Sequence, residues 1–322
     1  MAERQVTGRF APSPTGPLHF GSLVAAVGSY CLARRAHGRW LLRMEDLDTP
    51  RVVPGAADDI LATLDKLGLH WDGEIVWQSQ RTAAYREALD ALRAKGLVFA
   101  CGCSRKEVLQ SAPHPGEEGP VYPGTCRFGL PLGRKPRAFR MIVDDRPIGY
   151  TDGVFGPLQQ QLATTVGDFV LQRADGLFAY QLAVVVDDLA SGVNQIVRGA
   201  DLLSSTPRQI YLYSCLGEPL PDYIHLPLAT DARGAKISKR HGAISLNESL
   251  DPAREIFRAL SFLGQQVPAD LRHTSAGELL TWASRHFDPQ RIPAAQGLPV
   301  DTFADEKRKK CKSAIDSPLK SR

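Results

Sequence analysis

The feature that most constrains this chain is the alternation of strand and helix signals over residues 6–67. Residues 6–10 read as a short strand, and Ala11-Pro12-Ser13-Pro14-Thr15-Gly16-Pro17 follows as a loop that its prolines keep out of helix. His19-Phe20-Gly21-Ser22 then opens an apolar, Ala-rich helix over 23–36. Gly16 and Gly21 remove side chains where a ligand or a neighbouring backbone must come close, and N–H groups at the helix start face an anion such as phosphate. Residues 40–44 give a second strand, which runs into the acidic cluster Glu45-Asp46-Leu47-Asp48. Residues 55–67 then place Ile60, Leu64 and Leu67 at helical spacing. Strands alternating with helices imply a parallel sheet covered by helices.

A further helix is expected over 82–95, after which a cysteine-containing stretch and the Gly/Pro-rich segment 111–124 break the alternation, as an inserted subdomain would. Strands are expected at 168–173 and at 179–187, the second nearly all apolar, as a strand covered on both faces is. A helix over 206–216, a strand at 223–228, a polar loop at 230–240 and helical periodicity over 247–264 complete the pattern, with no internal repeat. The expected division is 1–97 and 148–245 as two halves of one catalytic domain, 98–147 as the insertion, 246–303 as a short helical domain and 304–322 as a basic, disordered tail.

With 322 residues the chain can bury a sizeable core, and no apolar run approaches the roughly 20 residues of a membrane span. Glu3, Arg4 and Gln5 leave no room for an apolar export signal at the start, so the expected location is the cytoplasm. A net charge of +4 permits an anionic partner without marking a protein that binds nucleic acid by charge alone. The six cysteines are spread as in a reduced compartment. Cys101-Gly102-Cys103 and Tyr122-Pro123-Gly124-Thr125-Cys126 offer three thiolates and a phenol in a Gly/Pro-rich segment, a set that suits Zn²⁺. By spacing alone, ordinary buried cysteines fit as well, and His114 competes with Tyr122 for the fourth position.

Two separated motifs carry a family resemblance. Arg9-Phe10-Ala11-Pro12-Ser13-Pro14-Thr15-Gly16-Pro17-Leu18-His19-Phe20-Gly21-Ser22 resembles the opening motif of glutamyl- and glutaminyl-tRNA synthetases, and Lys236-Ile237-Ser238-Lys239-Arg240 is similar to their second ATP loop. Alone, the first is also a rigid turn and the second a solvated basic loop. The resemblance implies a class I synthetase: an α/β fold with a Rossmann-like parallel sheet, a zinc-bearing insertion and a short helical C-terminal domain. It also implies ATP with Mg²⁺, held by Pro12, His19, Gly21, Ser22, Lys236, Ile237, Ser238, Lys239 and Arg240. Attack of a carboxylate on the α-phosphate builds charge on phosphate oxygens and needs positioned donors, roles the family gives to His19 and Lys239 with help from Lys236. Ser22 stands where the family's second histidine often does, and Ile237 and Arg240 replace its usual methionine and serine, which reads as tuning.

Residues 180–188, 196–201 and 206–209 are also similar to glutamyl-tRNA synthetases. A side-chain carboxylate calls for an arginine and an α-ammonium for a carboxylate, needs met by Arg9 and Arg198 and by Glu45. Phe10, Ala11, Pro12, Ser13 and Tyr180 complete the implied glutamate pocket. Outside this context, Glu45 or Arg198 would read as half of a structural ion pair. The family's short members carry Cys-x-Cys with Tyr-x-x-x-Cys, matching Cys101, Cys103, Tyr122 and Cys126 as ligands of one structural zinc.

About 80 residues follow the basic loop, fewer than a helical anticodon-reading region requires. The resemblance is therefore to the family's truncated branch, a monomeric ligase that makes glutamyl-adenylate without tRNA. Such an enzyme passes L-glutamate to queuosine at the wobble position of tRNA(Asp), docking the anticodon arm. The rival readings are charging of the 3′ end of tRNA(Glu), an inactive RNA-binding paralogue, and a small-molecule nucleotidyltransferase. The last would have no use for Arg9, Glu45 and Arg198 together.

Overall fold

Strand β1 (Thr7–Phe10) is buried along its whole length and lies parallel to β2 (Arg39–Met44), with Arg9 opposite Leu41. Between them runs α1 (Phe20–Arg35), whose residues are buried on nearly every side because the sheet covers one face and two later helices cover the other. Trp40 explains the tightness of this layer. Its ring stacks on Phe10 at 6.2 Å and meets Tyr30 edge-on at 5.2 Å, while its indole N–H donates to Ser29 Oγ at 3.0 Å. After α2 (Ala56–Lys66), β3 (Val76–Trp77) extends the sheet beside β2. The computed structural model describes residues 5–115, 119–231, 233–235 and 251–300.

Helix α3 (Thr82–Ala94) leads into the insertion, built from β4 (Val98–Cys101), α4 (Arg105–Ser111) and β5 (Ala138–Met141). A Ser104–Glu107 capping box starts α4. The main sheet resumes at β6 (Ile148–Asp152), which forms a hairpin with β7 (Gly156–Gln160). The short α5 (Leu162–Thr165) follows, then β8 (Val170–Gln172), which pairs antiparallel with β5 and so belongs to the three-stranded sheet of the insertion.

The apolar run expected as a strand at 179–187 is instead α6 (Tyr180–Ala190). Leu182, Ala183, Val184 and Val185 are all buried, so the helix has no polar stripe and lacks the periodicity that separates helix from strand. From there β9 (Gln195–Gly199), α7 (Thr206–Leu216) and β10 (Asp222–Leu226) return to the parallel sheet, β10 lying between β9 and β6. β1 and β9 run side by side where Asn194 joins them: its amide donates to the Thr7 carbonyl at 3.0 Å and its side-chain oxygen accepts from Thr7 N at 2.8 Å. The expected strand at 223–228 divides at Pro227, and β11 (Leu228–Thr230) pairs with β12 (Gly297–Pro299). Helices α8 (Pro252–Phe262), capped by Asp251, and α9 (Ala276–His286), opened by a Ser275–Glu278 capping box, close over α1. The basic motif 236–240 and the tail 304–322 lie outside the described residues.

α6 is fastened to α3 by one buried carboxylate. Asp187 accepts from Arg81 Nε at 2.5 Å and from Gln78 Nε2 and Tyr85 Oη, both at 2.8 Å. Replacing it leaves the buried Gln78 and Tyr85 donors without an acceptor and removes the partner of the half-buried Arg81, so Asp187→Ala should destabilise the fold by about 3–5 kcal/mol in urea unfolding. A loss under 1 kcal/mol would sink this account.

Candidate active site

β1 and β9 are neighbours in space but leave in opposite directions, β1 toward β2 and β9 toward β10, and the crevice at their C-terminal ends is where such sheets bind ligands. A cavity of about 240 Å³ opens there. Its wall brings together Arg9, Phe10 and Ala11 from the end of β1, His19, Gly21 and Ser22 from the start of α1, Glu45 after β2, Tyr180 from α6 and Arg198 from β9. Pro12 and Ser13 do not line it, although the Pro12 carbonyl accepts from Glu45 N at 2.9 Å and so sets where Glu45 stands. Lys236, Ile237, Ser238, Lys239 and Arg240 fall outside the described residues.

His19 caps α1: its Nδ1 accepts from Ser22 N at 3.2 Å. A ring nitrogen that accepts carries no proton, so the neutral imidazole holds its proton on Nε2, where it serves as a donor. Gly21 makes this placement feasible, since a Cβ there would lie 3.1 Å from His19 Cε1 and 3.2 Å from Nδ1.

Beneath the cavity lies a buried network of charges. Asp188 accepts from Arg43 NH1 at 2.5 Å and from Arg9 Nε at 3.1 Å, and Arg43 NH2 reaches Glu45 Oε1 at 3.1 Å. Burial raises the Asp188 carboxyl, but Arg43 and Arg9 outweigh it and the net shift is downward, so the group is an anion. Glu45 goes the other way. Burial pushes it up, only partly offset by Arg43 and Arg9, and an arriving cation would relieve that cost. Burial likewise raises Tyr180, which keeps its hydroxyl neutral.

Arg198 is 5% exposed. Its Nε donates to His225 Nε2 at 3.1 Å and its NH2 to Thr206 Oγ1 at 2.8 Å, while NH1 has no hydrogen-bond partner among the described residues. A buried guanidinium that lines a cavity and has one nitrogen without a partner among the described residues suits an anionic ligand. Arg43, Asp188, His225 and Thr206, which hold these groups, were not among the residues expected in the site. For Arg43, between Leu42 and Met44, and His225, between Ile224 and Leu226, the signal was a polar side chain inside an apolar run, whereas Asp188 and Thr206 lie in the stretches 180–188 and 206–209 already noted.

In the insertion, the sulfurs of Cys101, Cys103 and Cys126 lie within 4.8 Å of one another. Tyr122 Oη stands 3.4 Å from Cys101 Sγ and 3.8 Å from Cys103 Sγ, and Cys103 Sγ is 3.6 Å from Cys126 Sγ. These separations are close to the edge of about 3.8 Å that a tetrahedral zinc–sulfur site requires. Burial and the neighbouring thiols push Cys103 up to about 11, a cost that a divalent cation would remove. The donor set therefore fits zinc. His114 is not part of the cluster.

The model of class I tRNA synthetases (E and Q), catalytic domain, matches residues 5–283. A glutamyl-Q tRNA(Asp) synthetase of Geobacter sulfurreducens is 57% identical over 296 residues, covering 90% of this chain and 94% of the relative. One from Dechloromonas aromatica is 57% identical over 288 residues, 89% of this chain and 95% of the relative. Among solved structures, a glutamate-tRNA synthetase of Elizabethkingia anophelis superposes with a TM-score of 0.77 at 26% identity, over 97% of this chain and 70% of that one. An open parallel sheet with its cavity at the switch point, and likeness of this extent along nearly the whole chain, place it within the class I tRNA synthetases of the E and Q type, in the glutamyl-Q tRNA(Asp) synthetase family.

Proposed function

We propose that this chain activates L-glutamate with ATP and Mg²⁺ and passes the glutamyl group to queuosine at the wobble position of tRNA(Asp). The observation that carries the first step is the cavity whose wall holds both Arg198, with an NH1 that lacks a hydrogen-bond partner among the described residues, and Glu45. Arg198 meets the γ-carboxylate, Glu45 the α-ammonium, and Arg9 and Tyr180 complete the wall. The α-carboxylate oxygen attacks the α-phosphorus of ATP, and pyrophosphate leaves. His19 Nε2–H at the head of α1, with Lys239 and Lys236 of the basic loop, offsets the charge that develops on the phosphate oxygens. A hydroxyl of the queuosine cyclopentenediol then attacks the acyl carbon, releasing AMP.

The names of the relatives at 57% identity support tRNA(Asp) as the acceptor. Cys101, Cys103, Tyr122 and Cys126 hold one zinc in this reading, which cross-links the insertion and takes no part in the chemistry. Among the described residues no helix is long and apolar enough to cross a membrane. A tRNA substrate and the kinship to bacterial tRNA synthetases support a cytoplasmic enzyme, which we propose acts as a monomer.

The test is transfer of labelled glutamate to queuosine-containing tRNA(Asp), the same tRNA without queuosine, and tRNA(Glu). Labelling confined to the first supports the proposal, and labelling of tRNA(Glu) overturns the acceptor. Lys239→Ala should slow glutamate-dependent ATP–pyrophosphate exchange by about 100-fold or more, and undiminished exchange would remove Lys239 from the site. Cys103→Ala should lower bound zinc, read by elemental analysis, together with the thermal midpoint. Full metal content would exclude Cys103 as a ligand.

A further inference from the structure

Arg198 lines the cavity, and the two residues that hold its guanidinium, His225 and Thr206, lie outside the cavity wall. His225, fully buried on β10, lies between Arg198 and Asp152 at the end of β6. Its Nε2 faces Arg198 Nε at 3.1 Å and its Nδ1 faces Asp152 Oδ2 at 2.6 Å. A guanidinium nitrogen can only donate, so His225 Nε2 must accept, and the imidazole proton must sit on Nδ1 and be donated to Asp152. The carboxylate thus selects the tautomer that anchors the arginine. Thr206 Oγ1 completes the seat: it accepts from Arg198 NH2, donates to the Leu202 carbonyl at 3.1 Å and also lies 3.1 Å from His225 Nε2.

We infer that Asp152 and His225 are positioning residues for substrate selection, holding the Arg198 guanidinium in the cavity wall in the orientation that meets the side-chain carboxylate of the amino acid. The inference rests on the glutamate reading above. It differs from an ordinary buried ion pair because the order of donors and acceptors, and not charge alone, carries the effect.

That order makes the isosteric Asp152→Asn informative. Asp152 Oδ1 accepts from the backbone amides of Val154 at 2.9 Å, Phe155 at 3.0 Å and His225 at 3.3 Å. The oxygen of an asparagine must occupy that place, which turns its NH2 toward His225 Nδ1. Nδ1 then accepts and the proton moves to Nε2, where Thr206 Oγ1 at 3.1 Å can accept it, so that Arg198 Nε faces a second donor and loses its acceptor.

The experiment is ATP–pyrophosphate exchange with glutamate and ATP titrated separately, together with nitrogen-15 NMR of the histidine rings. Wild type should show His225 protonated on Nδ1. Asp152→Asn should shift the proton to Nε2 and raise the KM for glutamate about tenfold or more, leaving the KM for ATP in place. His225→Leu should raise the same KM, and His225→Gln, whose side-chain oxygen can stand in for Nε2, should recover part of the loss. If Asp152→Asn moves both KM values together or neither, or if wild-type His225 is protonated on Nε2, the inference is overturned. Absence of glutamate-dependent exchange in wild type would overturn the proposed function instead, and the imidazole tautomer would still decide this point.

Discussion

Asp188 is shared by two arginines, and through it the parts of the molecule that make the cavity are joined. Arg9 lies 179 residues before it and Arg43 145 residues before it, yet both reach the same carboxylate oxygen. Taking such charges out of water costs several kcal/mol each, a cost met only when each is paired and hydrogen-bonded. Within the network, Arg43 also binds Glu45, and its Nε lies 4.0 Å from Asp187, the carboxylate that fastens α6 to α3. β1, β2 and α6 can therefore take few relative positions without stranding a buried ion. That restriction puts the ends of β1 and β9 and the start of α6 around one cavity.

The first third of the chain was legible because its signals are local. Prolines hold 11–17 out of helix, the helix after His19 shows in its composition, and Trp40 to Met44 alternates with helices on both sides. The run 179–187 misled for a physical reason. A helix buried on all sides and a strand buried on both faces present the same unbroken apolar sequence, and three consecutive valines favour the strand reading. β8 was seen as a strand, but its partner was not, because pairing with β5 is a contact between segments about 30 residues apart.

The site divides in the same way. Arg9, His19, Glu45, Tyr180 and Arg198 could be named from residue type and motif, and they share one cavity wall. Arg43, Asp152, Asp188, His225 and Thr206 were given no role there, because none of them lines the wall: Arg43, Asp188, His225 and Thr206 act on groups that do, and Asp152 acts through His225. A charged residue inside an apolar strand is a general sign of a buried polar contact. It does not say with what.

By itself the sequence determined the chemistry on offer: a histidine at a helix start, arginines and an acid suited to an amino acid, and three thiols with a phenol in one insertion. It also determined the strand and helix order of the first 67 residues, where short-range periodicity and turn residues decide the local conformation. Only the tertiary structure decided that Asp188 binds two arginines at once and that Tyr122, not His114, stands among the thiols. It alone decided, too, that NH1 is the nitrogen of Arg198 without a hydrogen-bond partner among the described residues. Each of these is settled by which groups exclude water from one another across tens to nearly two hundred residues, and no local pattern carries that information.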